Sequence, residues 1–502
     1  MSQIRRQSII SSMMVYFGFS LGLLNTYLFT REGGFKEEEY GLTGIFVAIS
    51  ALMYAFANLG TPVYIIKFFP YYNANLDKKH NDMLTWSLVI SMIGFCLVAV
   101  SGVYFKDFII RKFGQNSPDL VKYYYWIFPF GLGLTLYSIL ENYAIVLKNS
   151  VLVTFLREVQ FRLFSTILIV LTFAGILAKF DMFIKVYSFT YLGIAIILLA
   201  YLLKNGDLHF TFTVSNVSRK FFKKILTLIS YVFGGSLLVT ISTVFDSILI
   251  ASVLGLAQLA VFTLAQNIAS LVQAPQRGII TSSIAALSEA WRNKDLKRIA
   301  RIYRQSAINQ LIFAVGLFSL IWLNFVDAVA AFHMQKGYIK AQWTFFFIGL
   351  YRILDMGTGV SSQIIATSTR WRFEFFTGII LIFLTLPLNY ILTKYYFGLV
   401  GPAIANLISF TIYNSLRYWF LKTKFNMQPF TKETLYTILL GVFTFYVCHF
   451  LLEHIHGFPG LFARSICFIA LYATGTLILK LSSDVLPVWN TLLKKTGIKK
   501  GE

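Results

Sequence analysis

Apolar and polar residues fall along this chain in long blocks rather than in short periods. About fourteen apolar stretches, each of roughly 20 to 30 residues, run from Ser8 to Lys480 with short polar connections between them. Their approximate limits are 8–30, 41–66, 83–105, 123–147, 151–177 and 182–203, then 225–253, 259–289, 305–330, 341–368, 373–393 and 399–421, and finally 433–453 and 459–480. About 20 apolar residues cross roughly 30 Å of hydrocarbon as an α-helix. A helix is the required form, because lipid offers no partner to a bare backbone amide. The pattern therefore predicts an all-α polytopic membrane protein of about 14 transmembrane helices. No soluble domain is expected, since the longest connection, Asn205 to Lys224, is too short to fold alone. The opening MSQIRRQSII has the basic front of a signal peptide, but its apolar run is long and no small-x-small site closes it, so an uncleaved first helix is expected.

Charge adds a direction. The net charge is +22, and by position about 30 of the Lys and Arg residues fall on one set of alternate connections against about 12 on the other. The dense clusters are Arg219, Lys220, Lys223 and Lys224; Arg292, Lys294, Lys297, Arg298, Arg301 and Arg304; and Lys494, Lys495, Lys499 and Lys500. Basic residues are retained on the cytoplasmic side, which predicts both termini inside. Such loops read as lipid-facing rather than as a nucleic-acid surface, and no nucleic-acid partner is expected. Cys96, Cys448 and Cys467 lie within apolar stretches as small buried hydrophobes, and the six histidines show no metal-ligand spacing. Neither a metal nor a cofactor is expected.

The chain also repeats. Shifting residues 1–203 by about 218 positions lays segments one to six on segments seven to twelve. Tyr40-Gly41-Leu42-Thr43 then falls near Leu259-Ala260-Val261-Phe262. Two six-helix lobes with the same topology result, a parallel pseudo-repeat, with the last two helices outside it. The expected organisation is an N-lobe over 1–222, a C-lobe over 223–424, and a helix pair with a basic cytoplasmic tail over 425–502.

Three stretches carry a resemblance. They are FANLGTPVYIIKFFPYYN (Phe56 to Asn73), ENYAIVLKNSVLVTFLREVQFR (Glu141 to Arg162) and LPLNYILTKYYFGLVGPAIANLIS (Leu386 to Ser409). The first is similar to a small-residue "LG" turn followed by a basic residue, the second to a connection between spans four and five, and the third to a YG-x-x-G-A-A-I-A pattern at the start of span twelve, with Pro402 in place of one alanine. Together the chain resembles the polysaccharide, or O-antigen, flippases of the Wzx type, within the multidrug/oligosaccharidyl-lipid/polysaccharide exporter superfamily. The resemblance implies movement of an undecaprenyl-diphosphate-linked oligosaccharide across the bacterial cytoplasmic (inner) membrane for surface polysaccharide synthesis, by alternating access through a cationic cavity between lobes. A polysaccharide polymerase or chain-length partner would follow from the same reading.

A diphosphate cannot cross hydrocarbon unpaired, and Arg suits bidentate phosphate contact. Ionisable groups within spans are therefore the candidates. Arg277 has no acid within one helical turn of sequence and stands among Gln273, Pro275 and Gln276. Arg352 has Asp355 three residues on, and Arg162 has Glu158 four residues back, so each is either a cavity residue or half of a local ion pair. Asn25 is a candidate for sugar hydroxyls, with interhelical hydrogen bonding as the alternative. Asp246 is either an ion-coupling carboxylate or a structural partner for another helix. No residue is assigned a catalytic role, and a transporter rather than an enzyme is expected. A lipid II flippase, a drug or cation antiporter of the same superfamily, and a membrane-embedded polymerase or glycosyltransferase are the competing functions.

Overall fold

The computed structural model describes residues 3–177 and 179–484. All fourteen apolar stretches are helical, and no β-strand forms among the described residues. Among these residues nine helices are long and apolar enough to cross a membrane, and ten if Leu256–Val272 and Ala274–Arg292, bent by 48°, form one crossing. Breaks inside the segments account for part of the difference from fourteen; segment two still supplies one crossing, Glu37–Ala57, whereas segment four, Ile127–Val146, is an unbroken helix that is not among the nine. Segment two divides into Glu37–Ala57 and Thr61–Asn75, segment five into Ser150–Phe155 and Phe161–Phe173, and segment ten into Ala341–Gly357 and Ser361–Thr367. Segments eleven and twelve, Arg372–Ile391 and Gly401–Phe425, are counted together as one of the nine because only the turns Leu392–Phe397 and Gly398–Val400 separate them, although the two helices fold back and pack on each other. Lys494, Lys495, Lys499 and Lys500 lie outside the described residues.

The break in segment two has a local cause. Asn58 turns its side chain back onto the helix end, donating to the Tyr54 carbonyl at 2.8 Å and accepting the Gly60 amide at 2.8 Å. Gly60 then takes φ +78°, a conformation that costs a residue with a Cβ, and Pro62 starts the next helix where its missing N–H is not needed.

The chain forms two compact units, Met1–Ala260 and Val261–Glu502. In the first, segment four (Ile127–Val146) packs along segment six (Thr190–Lys204) and segment two. The approach depends on missing side chains: a Cβ on Gly133 would strike the Leu192 backbone, and one on Gly94 the Ala57 carbonyl. Segment seven, Asn216–Val253, packs on segment two. Its terminal carbonyls, which have no intrahelical donor, are taken up by Ser117 Oγ to Ala251 at 2.6 Å and Asn116 Nδ2 to Ser252 at 2.9 Å.

In the second unit the 36-residue helix Leu296–Ala331 is flanked by segment ten and by the last pair, Lys432–Leu452 and Gly457–Ile478. Gly316 lies against the Tyr472 ring, whose hydroxyl donates to the Ile312 carbonyl at 2.9 Å.

Candidate functional site

Charge in the first unit gathers on segment five. Between its two α-helical parts lies a π turn, Leu156–Gln160. Such a turn adds a residue to the coil and re-aims the side chains around it, which is why π turns recur at functional positions. Glu158 lies within it, 8% exposed. Its carboxylate accepts Arg162 Nη1 at 3.1 Å and Arg157 Nε at 3.2 Å, and Arg162 also donates to the Glu158 carbonyl. Glu141, from segment four, lies 3.8 Å from Arg157 Nη1.

The carboxylates of this cluster are the more enclosed partners and the arginine side chains the more exposed ones. Side-chain exposure is 53% for Arg157 and 28% for Arg162, against 13% for Glu141 and 10% for Glu158. Each guanidinium carries five N–H donors, so the pairs leave donors to spare.

Asn25 meets the same point from segment one, Gln3–Thr30. Its Nδ2 donates to the Arg162 carbonyl at 2.8 Å, and its Oδ1 accepts the Thr166 hydroxyl at 2.6 Å. Gly18 and Gly22, one turn apart, make room. A Cβ on Gly18 would strike the Glu158 carbonyl, and one on Gly22 would sit 3.2 Å from Arg162 Nε. Two of the sequence candidates, Asn25 and Arg162, are thus direct neighbours, joined through Asn25's side chain and Arg162's backbone.

The second unit holds a longer network. Asp355, in segment ten, accepts Gln276 Nε2 at 2.9 Å and Asn414 Nδ2 at 3.3 Å. Arg417, 5% exposed, donates to Asn414 Oδ1 at 3.4 Å and holds Glu374 through Nε at 3.1 Å and through Nη2. Glu374 Oε1 also accepts Ser362 Oγ at 2.7 Å and Tyr413 Oη at 3.1 Å. The Arg417 guanidinium stacks 3.7 Å from the Tyr413 ring centroid.

Gln276 therefore belongs to this network and Arg352 does not. The Arg352–Asp355 pair offered by their spacing does not form; Arg352 lies 4.6 Å from the Tyr351 ring centroid and its Nε has no hydrogen-bond partner. Arg277 is exposed in the first turn of Ala274–Arg292, next to Gln276, and Gln273 is the residue at the bend before it. Asp246 is buried on segment seven, 6% exposed.

The sequence reading passed over Glu374 and Arg417. They stand 43 positions apart near the far ends of two consecutive segments. Consecutive crossings are antiparallel, so the start of segment eleven and the end of segment twelve share one side, and that topology was the available signal. Asp327 and Arg464, paired at 2.5 Å, lie on segments nine and fourteen, too far apart in the chain for consecutive topology to signal the pair. Among the described residues no group of His, Cys, Asp or Glu is arranged to hold a metal ion.

Residues 4–291 match the family model of polysaccharide biosynthesis proteins. No curated protein matches the chain. Among solved structures, the chain is similar to lipid II flippase MurJ in an inward closed conformation, with 16% identity, a TM-score of 0.74, and coverage of 94% of this chain and 98% of that one. It is also similar to an inward-facing multidrug resistance MATE family transporter of the MOP superfamily, with 17% identity, a TM-score of 0.61, and coverage of 81% and 94%. A MOP superfamily transporter from Pyrococcus furiosus gives 17% identity, a TM-score of 0.54, and coverage of 84% and 95%. At such identities the likeness is one of fold, whereas the family match extends over more than half of the sequence. The chain is a multi-span membrane protein that belongs to the polysaccharide biosynthesis protein family and has the fold of the MOP superfamily transporters.

Proposed function

We propose that the protein flips an undecaprenyl-diphosphate-linked oligosaccharide across the bacterial cytoplasmic membrane, by alternating access, for assembly of a surface polysaccharide such as O-antigen or capsule. It acts as a transporter and not as an enzyme, with both termini in the cytoplasm, and hands its cargo to a polymerase on the outer side. The observation that carries this reading is the segment-five cluster, where enclosed carboxylates hold the more exposed side chains of Arg157 and Arg162. A diphosphate competes for those donors with bidentate geometry and full charge. When it binds it loosens the carboxylate pairs, and when it leaves they close again. Anion exchange of this kind gives a binding site that is never an unpaired charge in hydrocarbon. Arg277, exposed beside the Gln276 network, is the second cation we assign to the cargo path.

The test uses cells whose own polysaccharide flippase is deleted. The wild-type chain restores surface polysaccharide, Arg162→Ala and Arg277→Ala each lose most of it at equal membrane expression, and the Lys variants keep part. Surface polysaccharide at wild-type levels in both alanine variants would remove the two arginines from transport. The MurJ likeness favours one competing cargo, lipid II. Rescue of cells lacking a lipid II flippase, without rescue of surface polysaccharide, would assign that cargo instead.

A further inference from the structure

Segments two and seven enclose a groove of about 580 Å³ within the first unit. Lys67 and Tyr71 line one wall; Phe221, Lys223, Lys224 and Tyr231 line the other. Phe221 fills the junction, its ring 5.0 Å from Tyr71 and 5.7 Å from Phe68.

The junction is fixed by a chain of buried polar contacts. Tyr72 and Ser218 share a hydrogen bond at 2.6 Å, Ser218 donates to Asp82 at 2.8 Å, and the Ser215 amide donates to the same carboxylate oxygen at 2.9 Å. Asp82 is fully buried, so the start of segment seven is pinned to segments two and three one turn before Lys223. The two lysine-bearing walls are therefore held together by the fold.

Lys67, Lys223 and Lys224 converge on this groove, and none has a carboxylate within 4.0 Å among the described residues. Three like charges facing one space without a counter-charge call for an anion. The aromatic wall continues past them, with Tyr231 81% and Tyr71 48% exposed, among other exposed apolar side chains of the same helices, Ile66, Phe222 and Leu226. One ligand class satisfies both halves: a phosphate ester carried on acyl chains.

We infer that this groove is a binding site for the headgroup of an anionic phospholipid, with the lysines on the phosphate and an acyl chain along Tyr231. Basic pockets between membrane helices on the cytoplasmic side recognise such headgroups, and the inference rests on the proposed placement of both termini in the cytoplasm. The site does not depend on which cargo the protein moves.

Native mass spectrometry of the delipidated full chain tests it, with phosphatidylglycerol and phosphatidylcholine of identical acyl chains as probes. The expected result is one phosphatidylglycerol bound about a hundredfold more tightly than phosphatidylcholine, since each of the three lysine contacts is worth roughly fivefold in affinity. The triple variant Lys67→Gln, Lys223→Gln, Lys224→Gln should lose that preference, and the corresponding triple Arg variant should keep it. A triple Gln variant of Arg292, Lys297 and Arg301, in the other basic cluster, should also keep it. Equal binding of the two lipids, or a preference that survives the first triple Gln variant or vanishes in the second, would overturn the site. So would displacement of the lipid by glycerol 3-phosphate at the same concentration, which would make the acyl chain irrelevant. Displacement by equimolar undecaprenyl diphosphate would assign the groove to the transported lipid and overturn it as well.

Discussion

Asp355 is hydrogen-bonded at 2.9 Å to Gln276, 79 positions away, and makes no ion pair with Arg352 on its own helix. Arg352 turns to the Tyr351 ring, leaving the carboxylate to amide donors from two other helices, Gln276 and Asn414. Asp355 thus ties segments eight, ten and twelve together.

The coupling is measurable. A hydrogen bond to a charged group contributes about 1.5–3 kcal/mol, so a double-mutant cycle of Gln276→Ala and Asp355→Ala on unfolding free energy should show that much non-additivity. The cycle of Arg352→Gln with Asp355→Ala should be additive within about 0.5 kcal/mol. The reverse order would mean that the local pair forms after all.

The Arg417–Glu374 pair should behave as a buried ion pair. Arg417→Ala leaves Glu374 enclosed without its cation and is expected to cost about 3–5 kcal/mol of stability. Removing both charges, as Arg417→Met with Glu374→Leu, should recover more than half of that loss, because the desolvation cost disappears along with the attraction. Unfolding titrations in mixed micelles report both values. A double variant no more stable than Arg417→Ala would show that Ser362, Tyr413 and Asn414, rather than the charges, hold the site.

Energy input is the third prediction. The sequence contains no G-x-x-x-x-G-K-[ST] loop for nucleotide, and Asp246 is a buried carboxylate on segment seven. Protein reconstituted into vesicles should move a lipid-linked glycan faster under an imposed proton or sodium gradient, and Asp246→Asn should lose the acceleration while keeping the basal rate. Transport indifferent to both gradients, and unchanged in the asparagine variant, would favour passive equilibration drawn forward by consumption of the product.

What the sequence determined is everything that depends on neighbours along the chain. An apolar run must become helical, because its amides have nothing else to bond to, and all fourteen stretches are helical, several of them broken into two helices. The Glu158–Arg162 contact also follows from spacing, since residues four apart share a helix face. Even the break in segment two is written in Asn58-Leu59-Gly60-Thr61-Pro62, where a backbone-capping amide, a glycine and a proline fall in order.

Only the tertiary structure decided which polar groups meet between helices. Asp355 has a cation three residues away and bonds elsewhere; Glu374 finds Arg417; Asn25 finds the carbonyl of Arg162. These choices turn on how far each helix is rotated and slid against the next, and that is set by contacts such as Gly18 on Glu158 and Gly133 on Leu192. A shift of one residue turns a side chain by about 100° around a helix of 3.6 residues per turn. Hydropathy is almost blind to that rotation when a helix is apolar on every side.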